Sequence, residues 1–176
     1  MKMTNENENY MSSSELAAEL TRVELAIIRT IEAFSRWSTV LQKSASGSPL
    51  SYRSVALLHS IRMCGGAQNL SELLMFLNRN DVSTLQYSLK KLEQDDLIER
   101  VTGSSKREAG YRLTDKGMEA TSEYARLREE ILIRLLDDLK DFDTALKRSA
   151  GTIERMTAVY DQATQTVMNR KISARQ

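Results

Sequence analysis

Residues 69–114 read NLSELLMFLNRNDVSTLQYSLKKLEQDDLIERVTGSSKREAGYRLT, and this stretch decides the fold. Leu70, Leu73, Leu74 and Leu77 fall on one helical face, so the first run is a short amphipathic helix capped by Asn69 or Ser71. Asn78-Arg79-Asn80 forms a polar turn. Asp81 is a natural N-cap for a second helix that ends near Gln94 and points Leu85, Leu89 and Leu92 inward. Leu97-Ile98 and Val101 then read as a strand, 103–110 as a loop with Gly at both ends, and Tyr111-Arg112-Leu113 as the returning strand. The pattern predicts a helix-turn-helix followed by a β-hairpin wing, set in a mainly α chain.

Outward from this module the chain becomes long-helical. Ser12, with Glu15 three positions on, marks a capping box. Leu16, Leu20, Val23, Ile27, Thr30, Phe34, Trp37 and Leu41 then form one stripe of nearly four heptads. Such a stripe either faces its own core or packs in part against a second chain. Residues 44–49 (SASGSP) form a linker that holds the single proline. Ser51 caps the next helix, whose buried face is Val55, Leu57, Leu58 and Ile61, and Gly65-Gly66 stops it. Thr114-Asp115 opens a second long helical region in which Tyr124, Leu127, Ile131, Leu135 and Leu139 repeat. A weakening over 143–151 is expected before a final helix carrying Ile153, Met156, Tyr160, Ala163 and Val167. Residues 1–12 have almost nothing apolar to bury and are expected to be a mobile tail.

Composition limits the function classes. A chain of 176 residues with 41% hydrophobic and 28% charged side chains is expected to form one compact unit. Seven Gly and one Pro agree with few helix breaks. No apolar run approaches the roughly 20 residues that cross a bilayer, and the start of the chain has no apolar signal core, so a cytoplasmic location is expected. One cysteine cannot form a disulfide within the chain. Catalysis needs converging reactive groups, and the pair His59 and Cys64, five positions apart on one helix, is not such a set. No metal site and no cofactor are expected, and Cys64 reads as a small apolar filler.

The net charge of +1 offers no global attraction to nucleic acid, so a DNA-binding reading must rest on local features. With Leu85, Leu89 and Leu92 inward, the second helix of the motif presents Ser83, Thr84, Gln86, Tyr87, Lys90 and Lys91. Hydroxyls, an amide, a phenol and two cations are groups that meet base edges and phosphates in a major groove, although a solvated helix face carries similar residues. The wing adds Arg100, Lys106, Arg107 and Arg112 against Glu108 alone. A basic hairpin of this kind lies along the backbone with an Arg at its tip in a narrow minor groove. Specific DNA recognition is the first reading. A winged-helix adaptor for protein partners is the alternative.

Several short pieces, taken together, resemble the MarR family of winged helix-turn-helix transcription regulators. They are Leu50-Ser51 opening a helix, Ser71-Glu72-Leu73 in the first helix of the motif, and Ser83-Thr84-Leu85 with Leu92-Glu93 in the second. Leu97-Ile98-Glu99-Arg100 enters the wing and Leu113-Thr114-Asp115-Lys116-Gly117 leaves it. The chain departs from the family pattern at Ser105, where an Asp usually steadies the wing arginine, and at Asp96, where Gly is usual. The resemblance implies a winged helix-turn-helix domain over 50–114, flanked by dimerisation helices at 13–43 and 115–172. It also implies a homodimer on a pseudo-palindromic double-stranded operator, usually as a repressor, answering to a small aromatic or phenolic effector. On that likeness Ser83, Thr84, Gln86 and Tyr87 read bases, Lys90, Lys91 and Lys106 contact phosphate, and Arg107 enters the minor groove. By position, Phe34, Trp37, Tyr52, His59 and Met63 line the effector pocket.

Overall fold

The computed structural model describes residues 14–102, 110–137, 139 and 141–173. The chain divides into two units, Met1–Arg128 and Glu129–Gln176, rather than the single one expected from length. The physical reason is visible in the second unit, where none of the described residues is buried.

In the first unit α1 spans Glu15–Ser46, α2 Tyr52–Cys64, α3 Leu70–Phe76 and α4 Val82–Gln94. Strands β1 (Ile98–Val101) and β2 (Gly110–Leu113) follow, then α5 (Asp115–Arg128). Local chemistry sets most of these ends. The hydroxyl of Ser14 accepts the Ala17 N–H at 3.2 Å and starts α1, while Ser12, the expected cap, lies outside the described residues. At the other end α1 runs three residues into the expected linker. Gly47, at φ 71°, closes it with an N–H bond to the Lys43 carbonyl, so Pro49 is not what stops it. Ser51 caps α2 by accepting from Ser54 N–H, and Asn69 with Glu72 forms a complete capping box at α3. Thr114 starts α5, its hydroxyl accepting from the Gly117 N–H at 3.0 Å and donating to the Asp96 carbonyl at 2.7 Å.

The core gathers leucines from every short element. Leu57, Leu58, Leu73, Leu85, Leu92 and Leu97 are fully buried, with Leu41, Leu50, Val55, Ile61, Leu89, Ile98 and Tyr124 around them. Burying each such side chain contributes about 1.5–3 kcal/mol, which is why short helices of modest intrinsic stability hold together here. The helix α1 packs along α5, while α2 packs on α4 and against β2.

The hairpin is antiparallel, pairing Ile98 with Leu113, Glu99 with Arg112, Arg100 with Tyr111 and Val101 with Gly110. The far side of β2 is also used, since Gln68 and Tyr111 exchange backbone bonds of 2.8 and 2.9 Å. A Cβ on Gly110 would lie 2.8 Å from the Gln68 backbone, so this approach admits only glycine. A Cβ on Gly117 would lie 1.9 Å from the Leu97 carbonyl oxygen, which shows how tightly α5 presses on the start of β1.

In the second unit a π-helical segment spans Glu129–Ile133, α6 Arg134–Asp137 and α7 Phe142–Ser173. The weakening expected over 143–151 is absent: α7 passes straight through Gly151, and the break falls earlier, at Asp141 with φ 59°. One glycine lowers helix stability by about 1 kcal/mol, too little to end a helix of 32 residues. Leu146, Ile153, Tyr160 and Val167 recur every seven residues along α7 and are exposed. In the first unit Leu16, Leu20, Val23, Ile28, Ile31 and Phe34 of α1 are exposed as well.

Candidate nucleic-acid interface

Helix α4 has two faces. Leu85, Leu89 and Leu92 lock its inner face into the core, and Ser88 is buried beside them. Ser83, Gln86, Tyr87 and Lys90 stand exposed on the other face, Tyr87 at 73%. Thr84 is half-buried and Lys91 bends back to Asp95, Nζ to Oδ1 at 2.9 Å. Of the six expected contact residues on this helix, four are therefore freely presented, and two are partly engaged within the protein.

The start of α4 holds a cluster that the sequence reading missed. Asp81 occupies the N-cap position, as expected, but its carboxylate makes no capping bond to the α4 backbone. The Arg79 guanidinium takes it instead, and Arg53 of α2 approaches at 3.4 Å. The bond to Arg79 holds the Asp81 carboxyl far below the usual carboxylate range and raises Arg79. Asn78, just before, adopts φ 48°, a left-handed turn conformation that Asn tolerates. An open cleft beside this cluster is walled by Tyr52, Ala56 and Leu77.

The two strands of the wing carry paired charges. Arg112 reaches Glu99 across the hairpin at 2.6 Å, and the Arg100 guanidinium lies 6.0 Å from the centre of the Tyr111 ring. Glu99 therefore offsets one of the four wing cations. Lys106 and Arg107 lie outside the described residues. Asp96, the departure noted in the sequence, sits at φ 59°, the left-handed conformation that accounts for glycine being usual there.

The five expected effector-pocket residues are spread over different surroundings. Phe34 and Tyr52 meet edge to face at 5.9 Å. His59 lies 3.0 Å from Gln42 Oε1 and 4.1 Å from the Tyr124 ring centre, joining α1, α2 and α5. Burial, with a smaller contribution from Arg62, lowers its pKa from 6.5 to about 4. Trp37 is partly buried, and its Nε1 has no partner among the described residues; the same holds for Gln42 Nε2. Met63 is 68% exposed, a poor position for lining a pocket in the single chain. Among the described residues no group of three or more His, Cys, Asp or Glu is placed to hold a metal, and no helix is long and apolar enough to cross a membrane.

Comparison with known proteins agrees with this architecture. Residues 50–117 match a family model described as a winged helix DNA-binding domain. No curated protein matches the chain in sequence. Among solved structures, the transcriptional regulator BldR from Sulfolobus solfataricus is 16% identical, covering 81% of this chain and 99% of that one, with a TM-score of 0.64. The MarR family transcription regulator SP03579 is also 16% identical, covering 85% and 99%, with a TM-score of 0.62. The regulator MosR of Mycobacterium tuberculosis, solved in complex with DNA, is 17% identical, covering 76% and 95%, with a TM-score of 0.58. At such identities the likeness lies in the fold.

Proposed function

We propose, for a chain whose winged helix domain is set in a MarR-type regulator fold, that it is a homodimeric, sequence-specific DNA-binding transcriptional repressor. The observation that carries the reading is the division of α4 into a fully buried leucine face and an exposed face of Ser83, Gln86, Tyr87 and Lys90. A helix anchored so firmly, with hydroxyl, amide, phenol and ammonium groups facing outward, suits a major groove. In this reading Ser83, Thr84, Gln86 and Tyr87 contact base edges, Lys90, Lys91 and Lys106 contact phosphate, and Arg107 enters the minor groove. The transcriptional regulator MosR, a neighbour of the same fold solved in complex with DNA, supports the partner.

The dimer reading is supported by apolar residues that the single chain leaves in water. Leu16, Ile28, Ile31 and Phe34 of α1 and Leu146, Ile153 and Val167 of α7 are each more than two-fifths exposed. The segments 13–43 and 115–172 then serve dimerisation around the DNA-binding segment 50–114. A twofold dimer reads a pseudo-palindromic operator. A small aromatic effector near Phe34, Trp37, Tyr52, His59 and Met63 would alter the spacing of the two α4 helices. The protein would work in the cytoplasm.

Fluorescence anisotropy on the gene's own upstream duplex, with a scrambled duplex as control, tests the reading. A regulator shows a preference of at least about 10³. Equal affinities would refute it and favour an adaptor for protein partners. A solution mass near the 20.0 kDa of one chain at micromolar concentration would refute the dimer.

A further inference from the structure

Asp81 stands at the N-cap of the helix proposed to read bases, yet it forgoes the stabilising capping bond that an Asp there usually makes. Its carboxylate instead receives two bonds from Arg79, Nε to Oδ1 at 2.7 Å and an Nη to Oδ2 at 2.5 Å. Arg53, in the first turn of α2 and 28 positions earlier, reaches the same Oδ2 at 3.4 Å. One carboxylate thus ties the turn, α2 and α4 together at the point where α4 begins.

We infer that Asp81 is a positioning residue for DNA recognition, fixing the start of α4 against α2 while withholding the Arg79 and Arg53 guanidiniums from non-specific phosphate attraction. The inference rests on the DNA reading above. Its chemistry has two parts. Two rigid bonds from a side chain that is only 17% exposed set where the first turn of α4 lies, and hence how Ser83 and Gln86 meet base edges. In addition, each guanidinium released from Asp81 would become a cation beside the backbone, adding affinity that is blind to sequence.

Asp81→Asn separates these roles from capping, because Asn is nearly isosteric and an equally good N-cap. The expected result is a melting temperature close to the parent's, specific affinity reduced about tenfold, and non-specific affinity increased. The dependence of log K on log salt should steepen by about 0.9 for each guanidinium that gains a phosphate. Asp81→Glu keeps the charge and should keep the parental salt slope; a steepened slope there would overturn the charge argument. Arg79→Gln should lower specific affinity without steepening the slope. If the parent prefers its own duplex and Asp81→Asn shows an unchanged preference and slope, the role of Asp81 is refuted while the DNA reading stands. A parent without preference refutes the DNA reading and this inference with it. If Asp81→Asn unfolds by circular dichroism, Arg79→Gln decides: reduced preference supports the inference, parental preference overturns it.

Discussion

Replacing Gly117 by Ala places a methyl group where the Leu97 carbonyl oxygen already is. The added Cβ would sit 1.9 Å from that oxygen and 2.9 Å from the carbonyl carbon, and both belong to backbone that cannot rotate away. Relief requires α5 to back off by more than 1 Å, given that real Cβ contacts lie beyond roughly 3 Å. That movement pulls on the Thr114 N–H bond to Leu97 at 3.2 Å and on the Thr114 hydroxyl that caps α5. It also loosens Ala120 and Tyr124 from the core. Overpacking of this kind typically destabilises by about 1–3 kcal/mol, and a clash with backbone belongs at the upper end, about 3 kcal/mol. For a chain of this size that is a fall of about 6–12 °C in melting temperature. Gly151→Ala supplies the control, because nothing lies within 4 Å of its added Cβ in the middle of α7. There the variant should gain about 0.5–1 kcal/mol. Urea unfolding followed by circular dichroism measures both. A Gly117→Ala midpoint within about 0.5 kcal/mol of the parent would refute the packing of α5 on β1 described above.

Asp96 holds a left-handed conformation at φ 59°, so Asp96→Gly should stabilise by about 0.5–1 kcal/mol, seen as a raised urea midpoint. Lys90→Ala should shallow the salt slope of DNA binding by about 0.9, while Lys91→Ala should do less because Asp95 competes for its ammonium; anisotropy at three or more salt concentrations compares them. Arg107→Ala should weaken operator binding by about 1–3 kcal/mol in the same assay. The His59 prediction concerns acid. Unfolded, the ring takes up a proton near 6.5, but in the fold only near 4, so the unfolded state binds more protons between those values. Stability is therefore lost as pH falls from about 6.5 to about 4, on the order of 2 kcal/mol from this residue. His59→Gln should flatten that part of the stability-versus-pH curve relative to the parent, as measured by urea unfolding at several pH values.

How much was legible in the sequence depended on the range of the interaction. Helix starts set by near neighbours were readable: Ser51 with Ser54, and Asn69 with Glu72 three residues on. The inward leucines of α4 and the two wing strands around Ile98 and Leu113 follow from period and alternation, and the structure places them so. The end of α1 differs from the expected linker start because Gly47, in the left-handed conformation, closes the helix two residues before Pro49. The C-terminal break lies at Asp141 and not within 143–151, because Gly151 has a weak intrinsic effect whereas Asp141 adopts positive φ without a sequence signal. Contacts across long separations were not legible at all. Arg53 meets Asp81, and Gln42 meets His59, only because α1, α2 and α4 fold onto one another. The i,i+4 pair Lys91–Asp95 was readable from spacing, and it weakens the claim of Lys91 as a phosphate contact.

Hydroxyl-radical footprinting of the upstream duplex reports specificity and twofold geometry together. A twofold regulator should leave two protected half-sites on one face of the DNA, with centres one helical turn of about 10–10.5 base pairs apart or a multiple of it. Uniform protection along the duplex, or none at concentrations that saturate anisotropy, would contradict it.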